Sequence, residues 1–249
     1  SPCTTMRWRA RSTTGSATAV SARRSGHAAA ISGDTAVAGA RFADGPGQDS
    51  TGSAFVFVRS RPGSEVWAEQ AELNASDGAA NHQFGVSVAV SGDTIVVGAP
   101  WWEVTSWQTP QNAGAAYVFE RNHGGPGAWG EVTRLEPSDP QVGDFFGVGV
   151  AIRGDTIVVG SNGTDGASEG SGAVYIFDRN LGGPNAWGEL TKLWATDGEL
   201  ADGFGTAVSL DSDTLLVGAP SDDNPGQDSG SAYIFERNLG GPNAWGERA

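Results

Sequence analysis

Cysteine is nearly missing from this chain of 249 residues: Cys3 is the only one. A single thiol cannot close an internal disulfide and offers no cysteine metal cluster. Basic residues are scarce too. Against 29 Asp and Glu stand 15 Lys and Arg, for a net charge of −14. Such a surface repels phosphate backbones, which argues against nucleic acid as a partner. It suits cations, basic ligands or plain solubility. No apolar stretch nears the ~18 residues of a membrane-spanning helix, so no membrane insertion is expected. The start, Ser1-Pro2-Cys3, lacks the basic-then-apolar run of an export signal. Catalytic signatures are also lacking. His27, His82 and His123 are scattered, and no His-Glu-x-x-His, Gly-x-Ser-x-Gly or phosphate-loop pattern occurs. The chain therefore reads as no enzyme.

Glycine is what the chain has in excess, with 38 residues lying between short Val, Ile and Ala runs. That pattern predicts many turns joining short strands. The runs recur. Ser25-Gly26, Phe84-Gly85, Phe146-Gly147 and Phe204-Gly205 open four segments about 60 residues apart. Each segment predicts four strands. In strand A, Val86, Val88 and Val90 alternate with Ser87 and Ala89, the period of two that separates a bulky face from a small one. A Gly-Asp turn follows, as in Ser91-Gly92-Asp93-Thr94. Strand B, such as Ile95-Val96-Val97, is a continuous apolar run that should be buried on both faces. Strand C reads Ala116-Tyr117-Val118-Phe119, and a polar link then leads to Trp129-Gly130-Glu131 and strand D.

Four antiparallel strands per repeat compose a propeller blade, and one blade cannot bury its faces alone. The expected fold is an all-β propeller of four-stranded antiparallel blades over residues 26–249, the blades at about 26–74, 84–136, 146–195 and 204–249. A β-sandwich is the rival, but it gives no reason for this repeat. Residues 1–25 form a separate N-terminal segment. Trp8 stands as far before Gly26 as Trp67, Trp129 and Trp187 stand before Gly85, Gly147 and Gly205. It marks a candidate strand for closing the ring; the alternatives are a fragment of a longer array or a disordered segment.

The segments Phe84-Gly85 to Gly98-Ala99-Pro100 and Phe204-Gly205 to Gly218-Ala219-Pro220 resemble the FG-GAP repeat. That repeat builds the propeller of integrin α subunits and of many secreted bacterial proteins. The resemblance implies a secreted or cell-surface module for adhesion or ligand binding. It also implies calcium loops between strands A and B, of the form Asp-x-Asp-x-Asp-Gly. Here that link is only the Gly-Asp turn. Calcium takes about six to eight oxygens, so Asp34, Asp93, Asp155 and Asp213 are not expected to hold it. Pairing with the local backbone of the turn is their expected role.

In a blade, the B–C and D–A loops share one face, which this sequence loads with acid. The B–C loops carry Asp44, Asp49, Asp165, Glu169, Asp222, Asp223 and Asp228; the D–A loops carry Asp77, Asp139, Asp144, Asp197 and Asp202. The best cation cluster is Asp222-Asp223-Asn224 with Asp228, and calcium is the candidate ion; the competing reading is a solvated rim of turn-capping acids. Trp101, Trp102 and Trp107 stand in one B–C loop, where no other repeat has Trp. They read as a stacking platform for a glycan or an extracellular protein, against the alternative of a lid over the blade. The expected function is a non-catalytic binding or adhesion module outside the cytoplasm, possible cation assistance included. A polysaccharide-acting enzyme, which needs two converging carboxylates, and a purely structural adhesin segment are the alternatives.

Overall fold

A computed structural model describes residues 26–44, 50–63, 65–102, 112–223, 226 and 229–248. The segment 1–25, with its candidate closure strand at Trp8, lies outside the described residues.

The first blade runs β1 (Ala28–Ser32), β2 (Thr35–Ala40), β3 (Ser53–Arg59) and β4 (Trp67–Leu73). The second has β5 (Ser87–Ser91), β6 (Thr94–Ala99), β7 (Ala115–Arg121) and β8 (Trp129–Leu135). The third has β9 (Gly149–Arg153), β10 (Thr156–Ser161), β11 (Ala173–Asp178) and β12 (Gly188–Leu193). The fourth has β13 (Ala207–Asp211), β14 (Thr214–Ala219), β15 (Ser231–Arg237) and β16 (Trp245–Glu247). Each is a four-stranded antiparallel meander, giving four separate sheets and the all-β propeller architecture that the repeat implied. No helix among the described residues is long and apolar enough to cross a membrane.

The Gly-Asp turns form the A–B links. Their first residue takes positive φ: 56° at Gly33, 58° at Gly92 and 57° at Gly154. Ser212 holds the same place at 54°, without the freedom of glycine. The carboxylate of each turn Asp, expected to pair with the local backbone, is held instead by a side chain. Asp34, Asp93, Asp155 and Asp213 each meet the guanidinium at the end of strand C, from Arg59, Arg121, Arg179 and Arg237, at 2.9, 2.7, 2.9 and 3.1 Å. These are half-exposed surface pairs, worth at most about 1 kcal/mol each.

Blades pack in sequence, the bulky face of one on the small face of the one before. Val88, Val90, Ile95 and Tyr117 share a core with Val37 and Val56 of the first blade. On the other side of the same sheet, Ala89, Val96 and Val118 share a core with Val150 and Ile152. The Phe of each Phe-Gly pair lies wholly inside such an interface. Phe84, Phe146 and Phe204 bridge to Gly52, Gly114 and Gly172 of the preceding blade. Each stacks edge-on against the two rings of its own strand C: Phe146, for example, against Tyr175 at 5.4 Å and Phe177 at 6.0 Å.

Strand B is buried on both faces in β6 and β10, but alternate residues open to solvent in β14, where Thr214 and Leu216 are exposed. The reason is position. The first blade packs on the second, the second on the third and the third on the fourth, while among the described residues no comparable packing joins the fourth to the first. Among the described residues the fourth blade thus has a neighbour on one side only.

Candidate functional site

The B–C loops leave strand B through a shared short turn. The amides of Ala43, Trp102, Thr164 and Asp222 donate to the carbonyls of Ala40, Ala99, Ser161 and Ala219. The same four residues then accept, through their carbonyls, from Gly52, Gly114, Gly172 and Gly230 at the far end of each loop. They form one equivalent position, and it is buried in every blade. Two of the sequence's candidates, Trp102 and Asp222, fall on it.

Trp102 is therefore no exposed platform; it is only 5% exposed. A buried indole N–H needs an acceptor, and Trp102 Nε1 donates to Asp77 at 3.1 Å. The Arg134 guanidinium lies 4.2 Å over its ring, and His82 meets it edge-on at 6.3 Å. The residue is a lid on the second blade. Asp222 is buried likewise and accepts from the Tyr233 hydroxyl at 2.5 Å. Asp223 is exposed beside it; Asn224 and Asp228, with Trp107, lie outside the described residues. Among the described residues no group of three His, Cys, Asp or Glu side chains is placed to hold a metal ion.

The D–A acids also have local partners. Asp77, Asp139 and Asp197 accept from the hydroxyls of Tyr117, Tyr175 and Tyr233 at 2.7, 2.7 and 3.0 Å, which pins each D–A loop to strand C of the blade that follows. Arg134 adds an ion pair to Asp77, and Lys192 one to Asp139 at 2.8 Å. Asp144 and Asp202 turn inward and accept from the amides of Gln141 and Glu199, both at 2.6 Å. His82 has the same task in the second blade, its Nδ1 accepting from Ala79 at 3.2 Å.

These environments move the carboxylates in opposite directions. Burial pushes the pKa of Asp77 up, but the hydrogen bonds from Tyr117, Arg134 and Trp102 outweigh it, and the value lies below the ordinary carboxylate range. At Asp139 burial is likewise outweighed, by Lys192 and Tyr175. At Asp144 burial prevails and the value rises. A depressed folded-state pKa gives stability that is present above the unfolded value, near about 4, and lost as pH falls through the folded one; Asp144 has the opposite sign. Asp77→Asn is thus expected to cost about 1–2 kcal/mol near neutrality and to flatten the fall of stability in acid. Urea unfolding at neutral pH and at acid pH checks both; a parallel acid profile for parent and variant would refute it.

One candidate aromatic does reach the loop face. Trp101 is half-buried, its ring centroid 5.8 Å from that of Phe145 at a 59° tilt. Phe145 comes from the D–A loop ahead of the third blade and holds a positive φ of 53°. Val142, in the same loop, is 72% exposed. The pair thus joins a B–C loop to the next D–A loop across the seam of two blades. Phe145 was missed from sequence because it precedes the repeat's own Phe146 and reads as part of the motif; the doublet was the available signal.

A family model for the FG-GAP repeat matches residues 19–57, 67–119, 129–177 and 187–235. The chain belongs to the FG-GAP repeat family. Three of these FG-GAP matches open on the Trp of one blade's strand D region, Trp67, Trp129 or Trp187, and close on the last Phe of strand C in the next, Phe119, Phe177 or Phe235. The FG-GAP unit therefore straddles two blades. The residues shared by its copies have visible tasks: Arg179 lies 4.5 Å over the Trp187 ring, Asn180 accepts from the Asn185 amide at 2.6 Å, and Glu189 accepts from the Ser138 amide and hydroxyl, both at 2.9 Å. No curated protein matches the chain. Among solved structures it is similar to the crystal structure of the computationally designed Ika4 protein, at 14% identity over 86% of this chain and 92% of that one, with a TM-score of 0.47.

Proposed function

We propose that this FG-GAP chain is a non-catalytic binding module working outside the cytoplasm or at a cell surface. Its ligand is a glycan or an extracellular protein that lays an apolar face, a sugar ring or a hydrophobic side chain, on Trp101. The observation that carries the reading is the half-open Trp101–Phe145 pair beside exposed Val142, on the face where the loops of neighbouring blades meet. A large aromatic held on a rigid scaffold and rimmed by polar loops is the usual anchor of a binding site. The carboxylates of this face favour binding over hydrolysis. Asp77, Asp139, Asp144 and Asp202 are engaged by Tyr, Arg, Lys or backbone groups, an arrangement that fixes loops rather than activates water.

Binding to immobilised glycans and extracellular proteins, with and without chelator, tests the proposal. Trp101→Ala is expected to weaken capture of the ligand by about tenfold or more, with an unchanged unfolding midpoint. Full binding by that variant would remove the site. Loss of binding in chelator would add a cation to it.

A further inference from the structure

One pairing recurs through the chain. Arg59, Arg121, Arg179 and Arg237 lie over the rings of Trp67, Trp129, Trp187 and Trp245, and Arg134 over Trp102, all at 4.2–5.0 Å from the ring centre. The electron-rich face of an indole attracts a cation placed there. Each of these guanidinium groups also meets a carboxylate: Asp34, Asp93, Asp155, Asp213 and Asp77, in the same order. The unit is a guanidinium held between an indole and an acid.

Trp194 offers the indole and the acid without the guanidinium. It follows β12, where the chain leaves the third blade for the fourth, and is 44% exposed. Trp101 leans on Phe145. Trp194 alone among the described tryptophans meets neither a ring nor a cation. The B–C loop of its own blade lies flush against it: a Cβ on Gly166 would stand 2.9 Å from Trp194 Cβ. That loop is firmly closed. Asp165 Oδ1 accepts from the Gly170 amide at 2.9 Å, and Ser168 Oγ donates to the Gly198 carbonyl at 3.1 Å. Asp165 and Glu169 are exposed on it, and the Glu169 carboxylate has no hydrogen bond or ion pair among the described residues.

No missing neighbour opens this place. The third blade packs on the second at one face and on the fourth at the other. The equivalent residues, Asn74 and Glu136, are also exposed, in blades that another blade follows, and each bonds within its own blade, to Ser53 and to Arg134. The repeat turns this position to solvent and accepts Asn or Glu there. Its scaffold has no need of a tryptophan.

We propose that Trp194, with the carboxylates of the 165–170 loop, docks an arginine side chain of a partner protein. The contact completes between molecules the pairing that the chain makes repeatedly within itself. The guanidinium lies on the open face of the Trp194 ring and turns its N–H edge to Glu169 and Asp165. Arginine suits the place better than lysine, because its planar cation stacks on an aromatic face and still presents donors to a carboxylate. The net charge of −14 draws in a basic partner. The site stands apart from Trp101 and does not rest on it.

Titration of N-acetyl-arginine amide into the isotope-labelled whole chain, read by NMR at the Trp194 indole N–H, tests this. Trp194→Leu identifies the resonance by its loss and is expected to keep the parent's unfolding midpoint, since Asn and Glu serve at the same place in other blades. If the leucine variant fails to fold, Trp194→Phe makes the assignment. The parent is expected to show a saturable shift with a Kd of about 1–20 mM at low salt, the range of one exposed cation–π contact with a carboxylate beside it. Glu169→Gln, or salt raised to about 0.5 M, is expected to weaken binding about threefold. N-acetyl-citrulline amide has nearly the same shape without the charge and is expected to leave the resonance in place. The absence of a saturable shift at about 50 mM arginine probe overturns the proposal. An equal shift from the citrulline probe or from methyl glucoside overturns it too, since Trp194 would then be a face for uncharged ligands.

Discussion

Gly98→Ala is expected to lower the free energy of unfolding by about 3 kcal/mol or more, at the upper end of overpacking effects. The new methyl would lie 2.0 Å from the Gly147 carbonyl oxygen and 2.3 Å from Ser87 Oγ. Ser87 Oγ already donates to that same carbonyl at 2.7 Å, so neither neighbour can yield without breaking the bond and parting the second and third blades. Alanine loses less chain entropy than glycine on folding, but that gain, about 0.4–1 kcal/mol, is too small to compensate. The control is internal. Gly218→Ala makes the same chemical change at the equivalent place in the fourth blade, where the space is open, and is expected to leave the stability of the fold within about 0.5 kcal/mol of the parent. Denaturant titrations of the two variants side by side decide the matter. Equal losses would show that the glycines serve the strand itself and not the seam.

Phe146→Ala carries the second large effect. The ring is fully buried, edge-on to Tyr175 and Phe177, and shares its core with Val96 and Val118 of the second blade. Removing a buried phenyl from a close-packed site costs about 3–5 kcal/mol, because the cavity collapses only in part. The loss falls on a joint between two blades. In a repeat array each unit is held by its nearest neighbours, so the variant is expected to unfold in two steps, the third and fourth blades apart from the first and second. A single cooperative transition displaced by less than about 1 kcal/mol would contradict the placing of this ring.

Much of this arrangement was legible in the residues. The Phe-Gly pairs, the Gly-Asp turns and the alternation in β5 and β9 mark each blade because they obey local rules: positive φ at a turn, period two on a strand. Partners across a seam obey no such rule. Nothing local tells that Arg121 meets both Asp93 in its own blade and Thr35 in the one before. The loop face was harder still. Trp101 and Trp102 are adjacent and chemically identical, yet one faces outward and the other is a lid. The distinguishing signal lay in the other copies: laid beside Trp102, the residues Ala43, Thr164 and Asp222 are small, apolar or hydrogen-bonded inward, as an interior position requires. Which sheet faces stay uncovered among the described residues cannot be read from a local pattern: β14 carries Leu215, Leu216 and Val217 in the manner of β6, yet Leu216 is exposed where Val96 is buried.

The offset between sequence unit and sheet has a lasting effect on how such a chain can change length. Three of the four units start at the outermost strand of one sheet and stop on the third strand of the next, so the covalent link and the packing link fall at different points, like overlapping courses of brick. Gaining or losing one whole unit passes the last strand of a sheet to a fresh set of three, and every new seam is one that the sequence already knows how to form. A cut that respected whole sheets would enjoy no such guarantee of a matching joint.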